Sequence, residues 1–170
     1  MAVTPAGTPY VESSDLVANY PGTSLALANH IDGLDGGIVL QVVSATYSTQ
    51  VNTTSSSYVT TGLTATITPA ATDSKIIAIA NTRGATNTTG LMVLYSLFRG
   101  TVAGTQIGSE ISIYSNSGIL NGAGIAIALD TPNTTSAQVY TLGMKLSGSG
   151  TGTAQYLSSP AVIMLVEVAA

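Results

Sequence analysis

Cysteine and tryptophan are absent from this 170-residue chain, phenylalanine (Phe98) and histidine (His30) each occur once, and only 7% of residues are charged. Without cysteine there is no disulfide framework and no thiolate metal site, and the redox compartment leaves no mark. The four basic residues, Lys75, Arg83, Arg99 and Lys145, are scattered through a chain of net charge −4. No patch stands ready to displace counterions from phosphates, which argues against a nucleic-acid partner. The start, Met1-Ala2-Val3-Thr4-Pro5, has neither a basic region nor an apolar core, so a secretory leader is not expected. Runs such as 38–40 and 161–166 fall far short of the roughly 20 apolar residues that cross a bilayer. The expectation is a soluble, cytoplasmically made protein without membrane insertion.

What the chain does have is 45% hydrophobic residues and a polar complement dominated by Ser, Thr, Asn and Gly, with eight tyrosines as the main aromatic content. A soluble surface normally carries about a quarter charged residues. A neutral, hydroxyl-bearing surface on so apolar a chain points to coverage by copies of itself or by a larger assembly. It does not point to an enzyme.

Two unlike segments follow one another, at 1–37 and 38–170. The first holds Pro5, Pro9 and Pro21, the lone His30, and four of the eight acids: Glu12, Asp15, Asp32 and Asp35. Ser13 or Ser14 can cap a short turn led by Asp15, and Pro21-Gly22 breaks it. Thr23 or Ser24 can cap a short helix whose Leu25, Ala28 and Ile31 share one stripe, with Asp32-Gly33 ending it. Helices shorter than about 12 residues are marginal in water, so this one is expected to dock on something.

From Ile38 the period becomes two and β-branched residues dominate. Strands are predicted at 38–48, 57–60, 63–69, 75–83, 91–100, 106–114, 124–130, 137–146 and 161–168. Turn-forming clusters at 71–74, 87–90, 115–118, 131–133 and 148–152 separate them. The fold class expected is all-β, an antiparallel jelly-roll-like sandwich with a short, partly helical N-terminal segment. Missing crossover helices exclude a parallel α/β fold. In 75–80 and 124–129 one face carries Ile or Leu and the other Ala, so neither is strongly polar, and both faces are expected to be covered. In a chain this small, that implies subunit packing.

Candidate chemistry is sparse. His30 has no evident nucleophile or pocket and reads as a polar contact. Asp32-Gly33-Leu34-Asp35-Gly36-Gly37 lacks the ligand spacing of a calcium loop and reads as a hinge, so no metal and no cofactor is expected. Asp73, Glu110, Asp130 and Glu167 are the acids of the second segment, among which a glycosidase pair would have to be found. Asp73 and Asp130 stand in turn contexts, and Glu167 is expected to pair with one of the four basic residues. The Gly-rich stretches 100–104 and 148–152 precede no helix and are loops, not phosphate cradles. Three Asn-Thr-Thr segments, at Asn52, Asn87 and Asn133, present groups able to hydrogen-bond a sugar. Tyr58, Tyr114 and Tyr156, beside polar loops, are candidates for stacking on sugar rings, although aromatic residues equally populate subunit seams.

Two stretches carry a resemblance. Residues 9–21 (PYVESSDLVANYP) with 24–32 (SLALANHID), and residues 40–76 from Leu40-Gln41-Val42-Val43 through Gly62-Leu63-Thr64-Ala65-Thr66-Ile67-Thr68-Pro69 to Asp73-Ser74-Lys75-Ile76, resemble bacteriophage virion proteins of the tail-fibre or baseplate-fibre type. The resemblance implies a homotrimer located in the virion, at tail or baseplate, and made in the host cytoplasm. It implies an N-terminal segment joined to a tail or baseplate protein through Tyr10, Leu16, Val17, Tyr20, Leu25, Leu27 and Ile31, and a β domain that projects toward host-surface glycan. Unlike longer fibres, this chain has no shaft between the two parts. The same composition suits a capsid decoration protein, and a polysaccharide-cleaving enzyme is the reading from a different class.

Overall fold

The computed structural model describes residues 38–117 and 120–170 and, before them, the backbone of 2–3 and 9–10. The chain divides into two compact units, residues 1–38 with 169–170, and residues 39–168. In the first, strands β1 (Ala2–Val3) and β2 (Pro9–Tyr10) pair antiparallel, and the Ala169 N–H donates to the Ile38 carbonyl at 2.9 Å. The expected helix and hinge, His30, Asp32 and Asp35, and the attachment residues Leu16, Val17, Tyr20, Leu25, Leu27 and Ile31 lie outside the described residues, as does the side chain of Tyr10.

The second unit contains β3 (Val39–Tyr47), β4 (Val51–Thr53), β5 (Val59–Ile67), β6 (Lys75–Thr86), β7 (Met92–Arg99), β8 (Thr105–Gln106), β9 (Ile111–Tyr114), β10 (Leu120–Asp130), β11 (Gln138–Leu146), β12 (Gly152–Ala154) and β13 (Ala161–Val168). They form two antiparallel sheets. The six-stranded sheet runs β3-β13-β6, with β10 on the far side of β6 and β12-β4 continuing beyond β13. The five-stranded sheet runs β5-β11-β7, with β9 and β8 both on β7. Without the short β4, β8 and β12, the orders β3-β13-β6-β10 and β5-β11-β7-β9 are those of an eight-stranded jelly roll.

The twelve-residue β6 is the spine of its sheet. Its first half pairs with β13 and its last two residues with β12, while β10 follows it along its other edge from Ile76 to Thr86. No strand among the described residues pairs with the remaining edge of β10. The core lies between the sheets, where Leu63, Ile67, Tyr95, Leu97, Tyr140, Leu142 and Met144 of one sheet meet Ile76, Ile163 and Leu165 of the other, all essentially inaccessible to solvent.

Four elements depart from the sequence reading. The predicted 57–60 and 63–69 are one strand, β5, in which Gly62 at φ +82° sits opposite a register shift between Thr141 and Gly143 of β11. A bulge had looked like a break. The predicted 106–114 is two short strands. β4 and β12, made of Val, Asn, Thr, Gly and Ala, carry no β-forming pattern of their own and are held as strands by pairing with each other and with β6.

Close approach of the sheets sets the glycines. The Tyr95 hydroxyl crosses the interior to donate to the Thr153 carbonyl at 2.8 Å, and a Cβ on Gly84 would lie 2.2 Å from that hydroxyl. Gly84→Ala is therefore expected to destabilise the fold by roughly 1–3 kcal/mol through overpacking. Chemical denaturation checks this, and a variant as stable as the wild type would contradict the packing described.

Candidate functional site

The two sheets differ in what they show on their outer faces. Outward positions of the five-stranded sheet mix hydroxyl-bearing and isolated apolar side chains: Thr60, Thr64, Thr66 and Ser112 are exposed, as are Met92, Tyr114 and Val139. Its outer surface also carries a small cluster in which the Tyr58 ring meets Phe98 edge-on at 4.8 Å between centroids and Lys145 stands 4.6 Å over the Tyr58 ring. Glu110 accepts from Lys145 and, at 2.8 Å, from the Tyr58 hydroxyl. The hydrogen bonds from Lys145 and Tyr58 hold the Glu110 carboxyl below its usual value, while burial and the Glu110 charge push the Tyr58 hydroxyl up.

The outer face of the six-stranded sheet is apolar over most of its extent. Register places Ile127, Ile79, Met164 and Ser44 in one row across β10, β6, β13 and β3, and Leu129, Ile77, Val166 and Val42 in the next. A third row holds Ile125, Asn81, Val162 and Thr46. Ile125, Ile127, Leu129 and Val42 are 56%, 61%, 62% and 57% exposed, whereas Ala78, Ala80, Ala126 and Ala128 on the inner face are buried. The alternation read from 75–80 and 124–129 is thus present, with the small residues inside and the large ones outside. Four strands about 4.8 Å apart and three rows about 7 Å apart make an area on the order of 400 Å². That is the size of the largest apolar patch on a typical monomer, roughly 300–600 Å², which is often functional.

Beyond Asn81 the same face changes character. Where β6 passes from β13 to β12, the Asn81 Oδ1 accepts from the Val162 N–H at 3.1 Å and the Thr82 hydroxyl from the Gln155 N–H at 3.2 Å. Arg83 donates to Asn121 at 3.0 Å and lies 5.5 Å over the Tyr156 ring. Between β4, β12 and the end of β6 opens a concavity of ≈ 250 Å³, lined by Gln50, Asn52, Ala85, Thr86, Asn87, Thr151, Thr153 and Tyr156. It is flanked by a turn in which Gln155, Leu157 and Ser158 all adopt left-handed backbone, at φ 50°, 59° and 56°. Non-glycine residues in that region carry strain that surrounding contacts must impose.

The structure therefore brings together Tyr156 and two of the three Asn-Thr-Thr segments. Asn133 is at the opposite end of the sandwich, in the turn after β10, while Tyr114 ends β9 of the other sheet and Tyr58 immediately precedes β5 of that sheet. Gln50, Thr151, Thr153 and the Arg83–Tyr156 contact had no local signal; only the pairing of β4 with β12 assembles them.

The remaining acids hold structure. Asp130 is not a turn residue only: it is buried, accepts from the Tyr140 hydroxyl at 2.8 Å, and pairs with Arg99 at 3.2 Å. Glu167 does not meet a basic residue as expected. Its buried carboxylate accepts from Gln41 and, at 2.6 Å, from the Ala70 N–H. A backbone amide and a primary amide satisfy it because it points between the sheets, where the loop after β5 closes over the end of β13.

No protein-family model and no curated protein sequence matches the chain. Among solved structures, that of infectious bursal disease virus Gt strain aligns over 78% of this chain and 39% of its own, at 12% identity and TM-score 0.42. The chain thus spans well under half the length of that protein. The virus-like particle of the giant freshwater prawn Macrobrachium rosenbergii extra small virus aligns over 98% of this chain and 92% of its own, at 11% identity and TM-score 0.27. The enzymatically active domain of bacteriophage CBA120 tailspike protein 4 aligns over 75% of this chain and 20% of its own, at 11% identity and TM-score 0.25.

Burial pushes the Glu167 carboxyl up, but the hydrogen bonds from Gln41 and the Ala70 amide outweigh it and hold the group below its usual value. A depressed folded value means stabilisation that is complete above the unfolded carboxylate range and lost as pH falls through the folded value. Stability of the wild type should accordingly fall more steeply between about pH 5 and pH 3 than that of Glu167→Gln, measured by denaturation at each pH. Parallel curves would show that the carboxylate is not held as described.

Proposed function

We propose that this chain is a structural protein of a virus particle, and specifically a short homotrimeric fibre of a phage tail or baseplate. Jelly rolls serve capsid, lectin and other domains alike, so the fold by itself does not choose among roles. The observation that carries the reading is the outer face of the six-stranded sheet, where Ile, Leu, Val and Met stand outward while the alternate positions of β6 and β10 are chiefly buried Ala and Gly. A sequence free to expose that face to water would put Lys, Glu or Thr there, as the five-stranded sheet puts Thr. The occupant proposed is the same face region of two further copies about a threefold axis. An area on the order of 400 Å² is about half of the roughly 800 Å² that each partner contributes to a standard interface, so the apolar rows form its core and the surrounding uncharged residues its rim.

The finer assignment to a fibre is supported by the sequence resemblance of 9–32 and 40–76. Residues 1–37 serve in this reading as the attachment to a neighbouring tail or baseplate protein. Binding and assembly, not catalysis, are the mechanism: Glu110, Asp130 and Glu167 are each engaged in a structural contact.

Light scattering coupled to size exclusion is expected to give the full chain a mass of three subunits. Ile127→Lys, at a 61% exposed position, should reduce that mass to one subunit while changing the stability of the subunit by no more than about 0.5 kcal/mol. A wild-type monomer overturns the reading. Removal of residues 1–36 should leave a folded trimer that no longer joins the particle, and a monomeric or unfolded product would contradict that division of labour.

A further inference from the structure

We propose that the concavity between Asn52, Asn87 and Tyr156 binds one ring of a neutral saccharide. The proposal gives the particle protein a ligand and rests on that reading for the ligand's source, a cell surface; the site itself stands on its own chemistry. Its lining contains no carboxylate, ammonium, guanidinium or imidazole. A phosphate or a metal ion would find no countercharge there, and the nearest cation, Arg83, is already engaged by Asn121 and the Tyr156 ring.

What the lining offers is oriented neutral donors. The Asn52 Oδ1 accepts from the Thr153 hydroxyl at 2.9 Å and from the Gln50 amide at 3.3 Å, which fixes the Asn52 side chain and leaves its Nδ2 without a partner among the described residues. The Asn87 Oδ1 likewise accepts from the Thr88 hydroxyl at 3.3 Å, leaving its Nδ2 in the same condition. Each free Nδ2 presents two hydrogens, matched to the hydroxyl oxygens of a sugar ring. Tyr156 adds an aromatic body with a polar tip, the form of side chain that suits a ring with one apolar face and polar edges.

The site is also pre-organised. The Leu157 N–H is tied to the Gln50 Oε1 at 3.1 Å, the Gln155 N–H to Thr82, and the Thr153 carbonyl to the buried Tyr95 hydroxyl. Backbone strain on both sides of Tyr156 is thereby held in place before any ligand arrives, which removes ordering cost from binding. At ≈ 250 Å³ the concavity is just below the roughly 300 Å³ at which small-molecule sites begin. It has room for a single ring, and the rest of a longer glycan would run outside it.

Saturation-transfer NMR on the full chain tests this with glucose, galactose, mannose and N-acetylglucosamine as neutral probes, and glucuronic and N-acetylneuraminic acids as acidic ones. At least one neutral sugar should receive saturation, and Tyr156→Ala should weaken its binding by about tenfold or more. Asn87→Ala, at an exposed position whose loss cannot unfold the core, should weaken the same sugar severalfold. The proposal is overturned if no neutral sugar responds, if the response is unchanged in both variants, or if only the acidic sugars respond and Arg83→Gln abolishes it. The mass of each sample separates the two readings: an intact trimer that binds no sugar sinks this proposal alone, and a monomer that binds sugar sinks the assembly alone.

Discussion

Everything in this sandwich depends on how closely the two sheets approach. The five-stranded sheet fills the interior with its largest side chains, Tyr95, Leu97, Tyr140, Leu142 and Met144, and the facing strands β6 and β10 answer with Ala78, Ala80, Gly84, Gly124, Ala126 and Ala128. A Cβ on Gly124 would already stand 3.3 Å from both Tyr95 and Ile111. Close packing of this kind tolerates little added volume. Where those side chains press inward, β6 and β10 carry their bulk chiefly on the outside, and the larger inward residues of that sheet, Ile76, Ile163 and Leu165, stand at the start of β6 and on β13.

Most of the few charges among the described residues have a fixed partner. Arg99 closes on Asp130 beneath Tyr140, Lys145 and Glu110 bracket Tyr58, and Glu167 is gathered in by Gln41 and the loop after β5. These contacts sit at the ends or on the outer side of the five-stranded sheet and between the sheets. The apolar rows of the six-stranded sheet contain none. On that face the charges, Lys75 and Arg83, stand at the two ends of the outward row of β6, and the apolar rows lie between them.

Much of the fold was legible because the long strands carry their period openly. β6, β7, β11 and β13 were read within a few residues of their limits, and the turn clusters at 71–74, 87–90 and 131–133 fall between strands. β4 and β12 were not legible, since three residues such as Val51-Asn52-Thr53 or Gly152-Thr153-Ala154 are too few to show a period, and each becomes a strand only with the other as partner. The concavity they build was visible only in fragments, as two Asn-Thr-Thr segments and a tyrosine distributed over a hundred residues. Local composition reports side-chain chemistry; long-range pairing decides which pieces of it meet. The alternation of Ile with Ala was read correctly as lacking a polar face, while which face turned inward depended on the volume of side chains in the other sheet.

One consequence follows from β10. This strand is eleven residues long, pairs along one edge with β6, and leaves its other edge unpartnered among the described residues. It has no proline and no lysine, its one charge is the buried Asp130, and its outward side chains are Ile125, Ile127 and Leu129. Sheet edges are ordinarily guarded by such interruptions, because a bare edge recruits foreign strands. A newly made chain therefore carries along β10 a template on which another extended strand can pair, and the crowding of unfinished chains during synthesis becomes part of what the native form must withstand.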